Sequence, residues 1–318
     1  MDADPAVARL FDLVCQIVSA NASDELSFVA TGRKLLPLAA PYLRPSSISQ
    51  YTKILATALR YKWAKAAFLD RLLADLFMKL NARYQPHYSS LFLNAAAHIQ
   101  HHHMFDSDAY EGERRNPVWY SAAAETNADP LLFIYEVYDA IVADILSLPD
   151  THVFITTGLS QVPNEREHYQ YRIKDFNGFI GALKILGATV QPRMSRDFLL
   201  EFSTALEAQF AITLLDTARY AGNPLFAVEN RGTTLFCQTN YFGPPDGLKQ
   251  VTINGNTVDL SDSLVLVSIE NGIHQTIGYS IGTQSPKVAT ATIPLTSVFY
   301  RLCSAVLQEQ PSLIRQAS

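Results

Sequence analysis

Ser90-Leu91-Phe92-Leu93-Asn94-Ala95-Ala96-Ala97-His98 is the stretch on which the fold prediction depends. Its short apolar run, residues 90–93, is typical of a buried strand that ends in polar side chains at the edge of a sheet. A helical pattern over residues 129–146 and a second apolar run at residues 152–157 follow it. Strand, helix and strand in this order predict a βαβ unit with parallel pairing. We therefore expect an α/β fold with a mainly parallel central sheet flanked by helices.

The first part of the chain has helical periodicity instead. Apolar residues recur at helical spacing over residues 7–20, and again between Pro45 and Pro86, a stretch without glycine that predicts one long helix or two in tandem. We expect residues 1–87 to form a helical N-terminal section packed on an α/β domain of residues 88–318. Within that domain the sequence predicts helices over residues 176–186 and 293–307, strands over residues 225–228, 234–239 and 264–269, and a hairpin over residues 251–260 that turns at residues 254–256.

The composition excludes several classes of protein. Hydrophobic residues make up 48% and charged residues 17% of the chain, which is typical of a globular protein. The formal net charge of −5 leaves no basic surplus for broad nucleic-acid binding. No apolar stretch approaches the roughly 20 residues of a membrane span, and no signal-type segment begins the chain. Cys15, Cys237 and Cys303 are far apart and indicate buried packing residues in a reducing, cytoplasmic setting.

A histidine-rich run, residues 94–103, continues from the first apolar stretch and is the first candidate site. Three alanines after Asn94 allow a close approach of the backbone, and His98 and His102 share a face if the segment is helical. Imidazole is a common ligand of zinc and similar metals. Two other interpretations stay open, because such a run can form a solvent-exposed loop, and His98 can be a core histidine with satisfied hydrogen bonds.

Two further segments also follow apolar runs. Residues 272–274, Gly-Ile-His, come after the predicted strand 264–269, and a glycine two residues before a histidine can aim the imidazole into a cleft. In residues 156–161, hydroxyls and backbone amides could hold an anion. Arg166 and Arg172 could bind a phosphate or carboxylate in bidentate fashion. A turn with a surface histidine and a charged surface loop are the alternatives.

No P-loop, dinucleotide-binding glycine motif, nucleophile elbow or H-E-x-x-H motif occurs in the chain. At the three strand ends, however, the chain resembles the alkaline phosphatase superfamily, especially its phosphodiesterase and nucleotide-pyrophosphatase-like branch. In that family one strand ends in Asp-x-x-x-His, a later strand ends in Ser-Asp-His-Gly, and a third loop carries Gly-x-His. Asn94–His98 is similar to the first motif, with Asn in place of Asp, and Gly272–His274 is similar to the third. Thr157–Ser160 stands in the place of the second motif, without its Asp and His.

The resemblance covers about residues 85–285, and nothing before Tyr88 matches the family's N-terminal nucleophile segment. It implies a diverged metal-dependent hydrolase or transferase acting on phosphate or related esters. Because the middle motif lacks its ligands, a two-metal mechanism is not expected. The resemblance instead implies one divalent metal ion, zinc or manganese. The predicted metal ligands are His98, His102 and His274, and the residues predicted to bind a small anionic substrate are Asn94, Arg166 and Arg172.

Two alternatives to this hypothesis stay open. The chain could be a non-catalytic binding or assembly protein that retains the hydrolase fold, with Asn94 and Gly158 marking the loss of the site. A metal-independent site built from His168, Tyr169 and the arginines is the other. Whether the protein is catalytic and whether it forms a homo-oligomer are both left open by the sequence, whereas neither nucleic acid nor a membrane is an expected partner.

Overall fold

The computed structural model describes residues 4–21, 28–121, 128–193, 196–283 and 292–309. The chain divides into two compact units that interleave along the sequence. We call them the sheet unit (Met1–Pro41 and Asn164–Asn271) and the helical unit (Tyr42–Pro163 and Gly272–Ser318). This interleaving was not predicted from the sequence. The boundary expected between residues 87 and 88 stays a prediction.

The secondary structure of the described residues is mixed. Its helices are α1 (Pro5–Asn21), α2 (Phe28–Ala39), α3 (Ile48–Arg60), α4 (Lys65–Tyr84), α5 (Ala95–His103), α6 (Pro130–Leu146), α7 (Phe176–Ala182), α8 (Ala205–Leu215) and α9 (Thr296–Glu309). Its strands are β1 (Phe154–Thr156), β2 (Ser160–Pro163), β3 (Tyr169–Ile173), β4 (Thr189–Pro192), β5 (Asp197–Glu201), β6 (Arg219–Tyr220), β7 (Asn223–Pro224), β8 (Phe226–Asn230), β9 (Thr234–Thr239), β10 (Val251–Ile253), β11 (Asn256–Val258), β12 (Leu264–Ile269), β13 (Gly272–Gln275) and β14 (Ser280–Gly282).

Helices α3 to α6 build the core of the helical unit. Ile54 of α3, Ile99 of α5 and Ile134 of α6 are completely buried in one hydrophobic cluster. The tandem arrangement of α3 and α4 confirms one of the two forms predicted between Pro45 and Pro86. The predicted helix over residues 129–146 is also confirmed. It starts at Pro130 because the Asp129 carboxylate accepts hydrogen bonds from the backbone N–H groups of the first turn.

A buried ion-pair network joins the helices of this unit. Arg71 and Asp75 lie one turn apart on α4 with fully buried side chains, and Arg71 Nη2 is 2.6 Å from Asp75 Oδ1. Arg71 Nη2 is also 2.8 Å from Asp144 Oδ2 on α6. Asp75 accepts further hydrogen bonds from the hydroxyls of Ser47 and Tyr51. Removing these charges from water is costly, so the network depends on every partner being present.

The sheet unit contains the larger sheets. Its main sheet has four antiparallel strands in the order β4-β5-β9-β8. Phe176 and Phe179 of α7 contact Phe198 and Phe226 on one face of that sheet, and α8 contacts β8 and β9. A second antiparallel sheet has the order β11-β10-β6-β7, and β12 pairs with β3. The apolar side chains between α7 and the main sheet form the core of this unit.

The predicted hairpin over residues 251–260 is confirmed. Strands β10 and β11 pair with Ile253 opposite Asn256. Asn254 and Gly255 both have positive φ, at 50° and 79°. Two central residues with positive φ define the turn that suits the twist of a two-residue hairpin, and Asn-Gly is its preferred sequence.

The predicted mainly parallel central sheet is wrong, because every strand pair of the described residues is antiparallel. Residues 90–93 form no strand. Leu91 and Leu93 pack against the helical core, whereas Phe92 is 80% exposed. Strand β1 forms inside the second apolar run, but it pairs with β14 in antiparallel orientation and is exposed. A short apolar run fits a buried strand and a segment packed on helices equally well, and here helices supply the cover.

Two other expectations concern the cysteines and membrane insertion. Cys237 is buried, as predicted, and burial raises the pKa of its thiol to about 12. Cys15 is exposed, so its predicted burial is wrong. None of the helices in the described ranges is long and apolar enough to cross a membrane.

Candidate functional site

Helix α5 carries the histidine run, and a buried carboxylate fixes where this helix starts. Asp70 Oδ2 accepts hydrogen bonds from the backbone N–H groups of Asn94 (2.9 Å) and Ala95 (2.8 Å) and from the Tyr138 hydroxyl (2.5 Å). A carboxylate at this position also interacts favourably with the positive end of the helix dipole. Burial raises the pKa of Asp70, against the opposing effect of these three hydrogen bonds. The side chain of Asn94 makes no capping hydrogen bond.

The apolar residues of α5 decide which side each histidine takes. Ala95 and Ile99, four residues apart, are buried and face the core. His98 is exposed and His102 half-buried, and their rings meet edge to face with centroids 4.7 Å apart. The shared face predicted for His98 and His102 is therefore present.

His274 contacts His101, the third residue after His98. His101 Nε2 lies 2.9 Å from His274 Nε2, and the ring centroids are 4.6 Å apart. On its other side, His101 Nδ1 lies 2.7 Å from the carbonyl oxygen of Gly272. Gln161 Nε2 donates to the carbonyl of Ala97 at 3.1 Å and attaches the β2–β13 ribbon to α5. The ribbon thus brings His274 against the helix.

When His101 and His274 are both neutral, these contacts determine which ring nitrogen carries the hydrogen. The carbonyl of Gly272 can only accept, so Nδ1 of His101 carries the hydrogen. Nε2 of His101 then has a lone pair, and the Nε2–H of His274 donates to it. An imidazole whose Nδ1–H is held by a backbone carbonyl presents a well-oriented Nε2, the arrangement typical of metal-ligating histidines.

Gly272 is required at this position for a steric reason. A Cβ atom there would lie 2.9 Å from the carbonyl oxygen of Gln100 and 2.7 Å from Oε1 of Gln161. The Gln161 side chain could turn away from the new atom, but the carbonyl oxygen of Gln100 belongs to the backbone of α5 and cannot move alone. The glycine therefore allows β13 to approach the helix closely enough for the Gly272–His101 hydrogen bond.

His98 is held in the neutral form. Desolvation by the surrounding protein, with smaller contributions from the neighbouring imidazoles of His103 and His101, lowers the pKa of His98 to about 4. Its side chain also keeps contact with solvent, and water screens part of these effects. With its pKa below the ordinary value, His98 is an uncharged imidazole at pH 7, the form that can bind a metal.

His103 is engaged elsewhere. Its Nδ1 lies 3.4 Å from Asp106 Oδ2, and its ring stacks on Tyr120 at 5.6 Å between centroids. Asn116 Nδ2 donates to the same carboxylate oxygen of Asp106 at 2.9 Å. These contacts connect the end of α5 to the loop that follows it.

The predicted substrate-binding arginines belong to the sheet unit, whereas Asn94 and the histidines belong to the helical unit. Arg172 lies on β3 with its guanidinium 5.8 Å from the ring centroid of Phe176. Arg166 is exposed, and its backbone N–H donates to Asn164 Oδ1. The Thr157 hydroxyl, expected to bind an anion, accepts a hydrogen bond from the backbone N–H of Tyr279 instead.

His168 of the metal-independent hypothesis lies in a polar cluster of the sheet unit. Its Nδ1 makes a close contact with Glu270 Oε2, and its ring meets Phe242 edge on at 4.1 Å between centroids. Asn164 Nδ2 donates to the same carboxylate oxygen at 3.0 Å. These contacts connect the residues just before β3 with the residue after β12, and the metal-independent site stays a prediction.

Within the described ranges, no group of three or more His, Cys, Asp or Glu side chains is arranged to hold a metal ion. No family model, curated protein or solved structure matches the chain. His98, His102 and His274 as metal ligands stay a prediction, and the contact between His101 and His274 was not predicted from the sequence. The one available signal was helical spacing, which places His101 on the turn after His98.

Proposed function

We propose that this protein binds one divalent transition-metal ion through His101 and His274. The observation that carries the proposal is the 2.9 Å approach of the two Nε2 atoms, with Nδ1 of His101 held by the Gly272 carbonyl. Two nitrogens that bind one tetrahedral zinc ion at 2.0–2.1 Å lie about 3.3 Å apart. To accommodate such an ion, the two rings separate slightly and His274 carries its ring hydrogen on Nδ1, so that both Nε2 atoms offer a lone pair.

Further imidazoles lie next to this pair. The ring of His102 is 6.0 Å from that of His101 and 4.7 Å from that of His98. The four rings form a continuous row, which we call the imidazole row (His98, His102, His101 and His274). His98 and His102 are four residues apart on a helix, a spacing that lets two imidazoles bind the same metal ion.

The activity we propose is hydrolysis or transfer of a phosphate or related ester of a small anionic substrate, in the cytoplasm. When bound, a zinc or manganese ion supplies Lewis-acid polarisation of an ester oxygen. Two protein ligands leave coordination positions for water and substrate. Asn94, at the N-terminus of the same helix, is the residue we propose for substrate binding. The proposal needs no parallel sheet.

The direct test is calorimetric titration of the purified protein with zinc chloride and with manganese chloride. We expect His101→Ala and His274→Ala each to weaken binding by about tenfold or more, because each removes a ligand. His87→Ala is the matched control, since His87 is an exposed histidine outside the imidazole row. Equal affinities in the parent and both variants would contradict the metal site. Hydrolysis of 4-nitrophenyl phosphate that disappears in both variants would support the enzymatic part.

A separate observation favours the second candidate, an assembly protein. The two-stranded ribbon β1–β14 exposes Ile155 and, at 67%, Ile281. Neither strand contains a charged residue, and uncharged strand edges are not protected against pairing with another chain. Light scattering of the parent and of Ile281→Lys tests this candidate. A parent oligomer that dissociates in the variant supports it, and a monomeric parent contradicts it.

A further inference from the structure

The main sheet of the sheet unit has a second face, opposite the one that α7 contacts. Side chains alternate along each strand, so Leu199 of β5 and Phe236 of β9 point away from Phe198 and Cys237. Leu199 and Phe236 are direct partners in the β5–β9 register. They lie together in a groove of about 390 Å³ that is lined, among the described residues, by Arg193, Asp197, Leu199, Arg231 and Phe236. A volume of this size suits a small organic molecule.

The first arginine of the groove, Arg231, comes from the turn between β8 and β9. Its Cζ lies 4.7 Å from the ring centroid of Phe236. Its Nε and Nη2 donate to the two carboxylate oxygens of Glu229, at 3.0 Å and 2.8 Å. A guanidinium has five N–H groups, so the Nη1 side of Arg231 remains able to donate to another acceptor.

The second arginine, Arg193, directly follows β4. Its backbone N–H donates to the carbonyl of Asp197 at 3.0 Å, which holds it beside the start of β5. Among the described residues, the guanidinium of Arg193 has no hydrogen-bond or ion-pair partner. The groove therefore combines an apolar floor with two cationic groups that reach it from different turns.

We propose that this groove binds an organic anion, with the acidic group on Arg193 and Arg231 and an apolar body on Leu199 and Phe236. The local charges balance, because Asp197 and Glu229 offset the two arginines. A bare inorganic anion gains little at a site without net charge, and a neutral apolar molecule gains no hydrogen bond or ion pair from the exposed guanidinium of Arg193. Tight binding requires both parts of the ligand in one molecule. The acidic group can be a carboxylate or a phosphate monoester, because both accept hydrogen bonds from a guanidinium.

The first experiment compares three probes by calorimetry in buffer with EDTA, so that a metal ion cannot contribute. The probes are 1-naphthyl phosphate, 1-naphthol and inorganic phosphate. A fourth titration uses 1-naphthoate, which has a carboxylate in place of the phosphate ester. We expect 1-naphthyl phosphate to bind at least about tenfold more tightly than either 1-naphthol or inorganic phosphate. The proposal is overturned if neither 1-naphthyl phosphate nor 1-naphthoate binds at concentrations up to about 1 mM. It is also overturned if inorganic phosphate binds as tightly as 1-naphthyl phosphate.

The second experiment locates the site. Arg193→Ala is expected to weaken binding of 1-naphthyl phosphate about tenfold, and Phe236→Leu by a smaller factor because Leu keeps much of the apolar floor. Arg219→Ala is the matched control, because Arg219 is an arginine of the same unit paired with Asp216 at 2.6 Å. His274→Ala should also bind like the parent, which separates this site from the imidazole row. Unchanged binding by Arg193→Ala, with a circular-dichroism spectrum like that of the parent, overturns the proposal.

Discussion

His101 and His274 face each other through their Nε2 atoms at 2.9 Å, although 173 positions separate them in the chain. One residue of α5 and one residue of β13 thus meet inside the helical unit. The backbone between the two elements is as important as the rings, because the Gly272 carbonyl orients His101 and the missing Gly272 side chain leaves room for α5. The first prediction follows from this dependence.

Gly272→Ala should separate β13 from α5. The new methyl group would collide with the carbonyl oxygen of Gln100, so the strand has to move and the Gly272–His101 hydrogen bond is lost. We expect a loss of about 1–3 kcal/mol in the free energy of unfolding and weaker zinc binding. Urea denaturation and calorimetry measure the two effects. Gly158→Ala is the control, because a methyl group there has no neighbour within 4 Å; equal behaviour of the two variants would contradict the steric argument.

His98 should make the folded state less stable as the solution becomes acidic. Its pKa is lowered to about 4 in the folded protein, whereas an unperturbed histidine titrates near 6.5. Between these two values the unfolded chain binds a proton that the folded chain does not, so the stability contributed by neutral His98 is complete above about pH 6.5 and declines toward pH 4. His98→Gln should therefore lose less stability than the parent between pH 7 and pH 5. Urea denaturation of the parent and of His98→Gln at both pH values measures this loss of stability. A loss in His98→Gln that equals the loss in His87→Gln would argue against the prediction.

The sequence predicted local structure well where a specific residue determines it. Asp129 and Pro130 fix the start of α6, and Asn254 with Gly255 fixes the turn of the β10–β11 hairpin. In these cases the signal and its physical cause lie within a few neighbouring residues. Helices and hairpins of this kind are therefore readable without knowledge of the rest of the fold.

Strand pairing could not be predicted in the same way. The run 90–93 has the composition of a buried strand, but Leu91 and Leu93 find helices to pack against, and β1 pairs with a strand more than one hundred residues later in the chain. A local apolar pattern contains no information on the partner or its direction. The His101–His274 contact was missed for the same reason, because it depends on how β13 is placed against α5.

Tyr138→Phe should weaken the start of α5. The Tyr138 hydroxyl donates to Asp70 Oδ2 and accepts from the backbone N–H of Ala96 at 3.1 Å. Removing it leaves a buried carboxylate and a backbone amide each short of a partner, which costs about 1–3 kcal/mol. Tyr88→Phe is the control, because Tyr88 is an exposed tyrosine of the same unit and should change stability by no more than about 0.5 kcal/mol. Equal changes in the two variants, measured by urea denaturation, would show that the Asp70 cluster does not stabilise α5.

Asp75→Ala should be among the most destabilising single changes in the helical unit. Arg71, whose side chain is completely buried, would lose the nearer of two carboxylate partners, at 2.6 Å, and keep only Asp144. Ser47 and Tyr51 would each lose an acceptor. Breaking a buried pair by removing one partner costs about 3–5 kcal/mol, because the remaining charge is shielded from water. Because Arg71 keeps Asp144, we expect a loss near the lower end of that range. The Arg219–Asp216 pair has the same 2.6 Å separation but lies at the surface, where such pairs contribute about 1 kcal/mol or less. Asp216→Ala is therefore the matched control for urea denaturation. Similar losses of unfolding free energy in the two variants would mean that water reaches Arg71 and that the ion-pair network is not shielded from solvent.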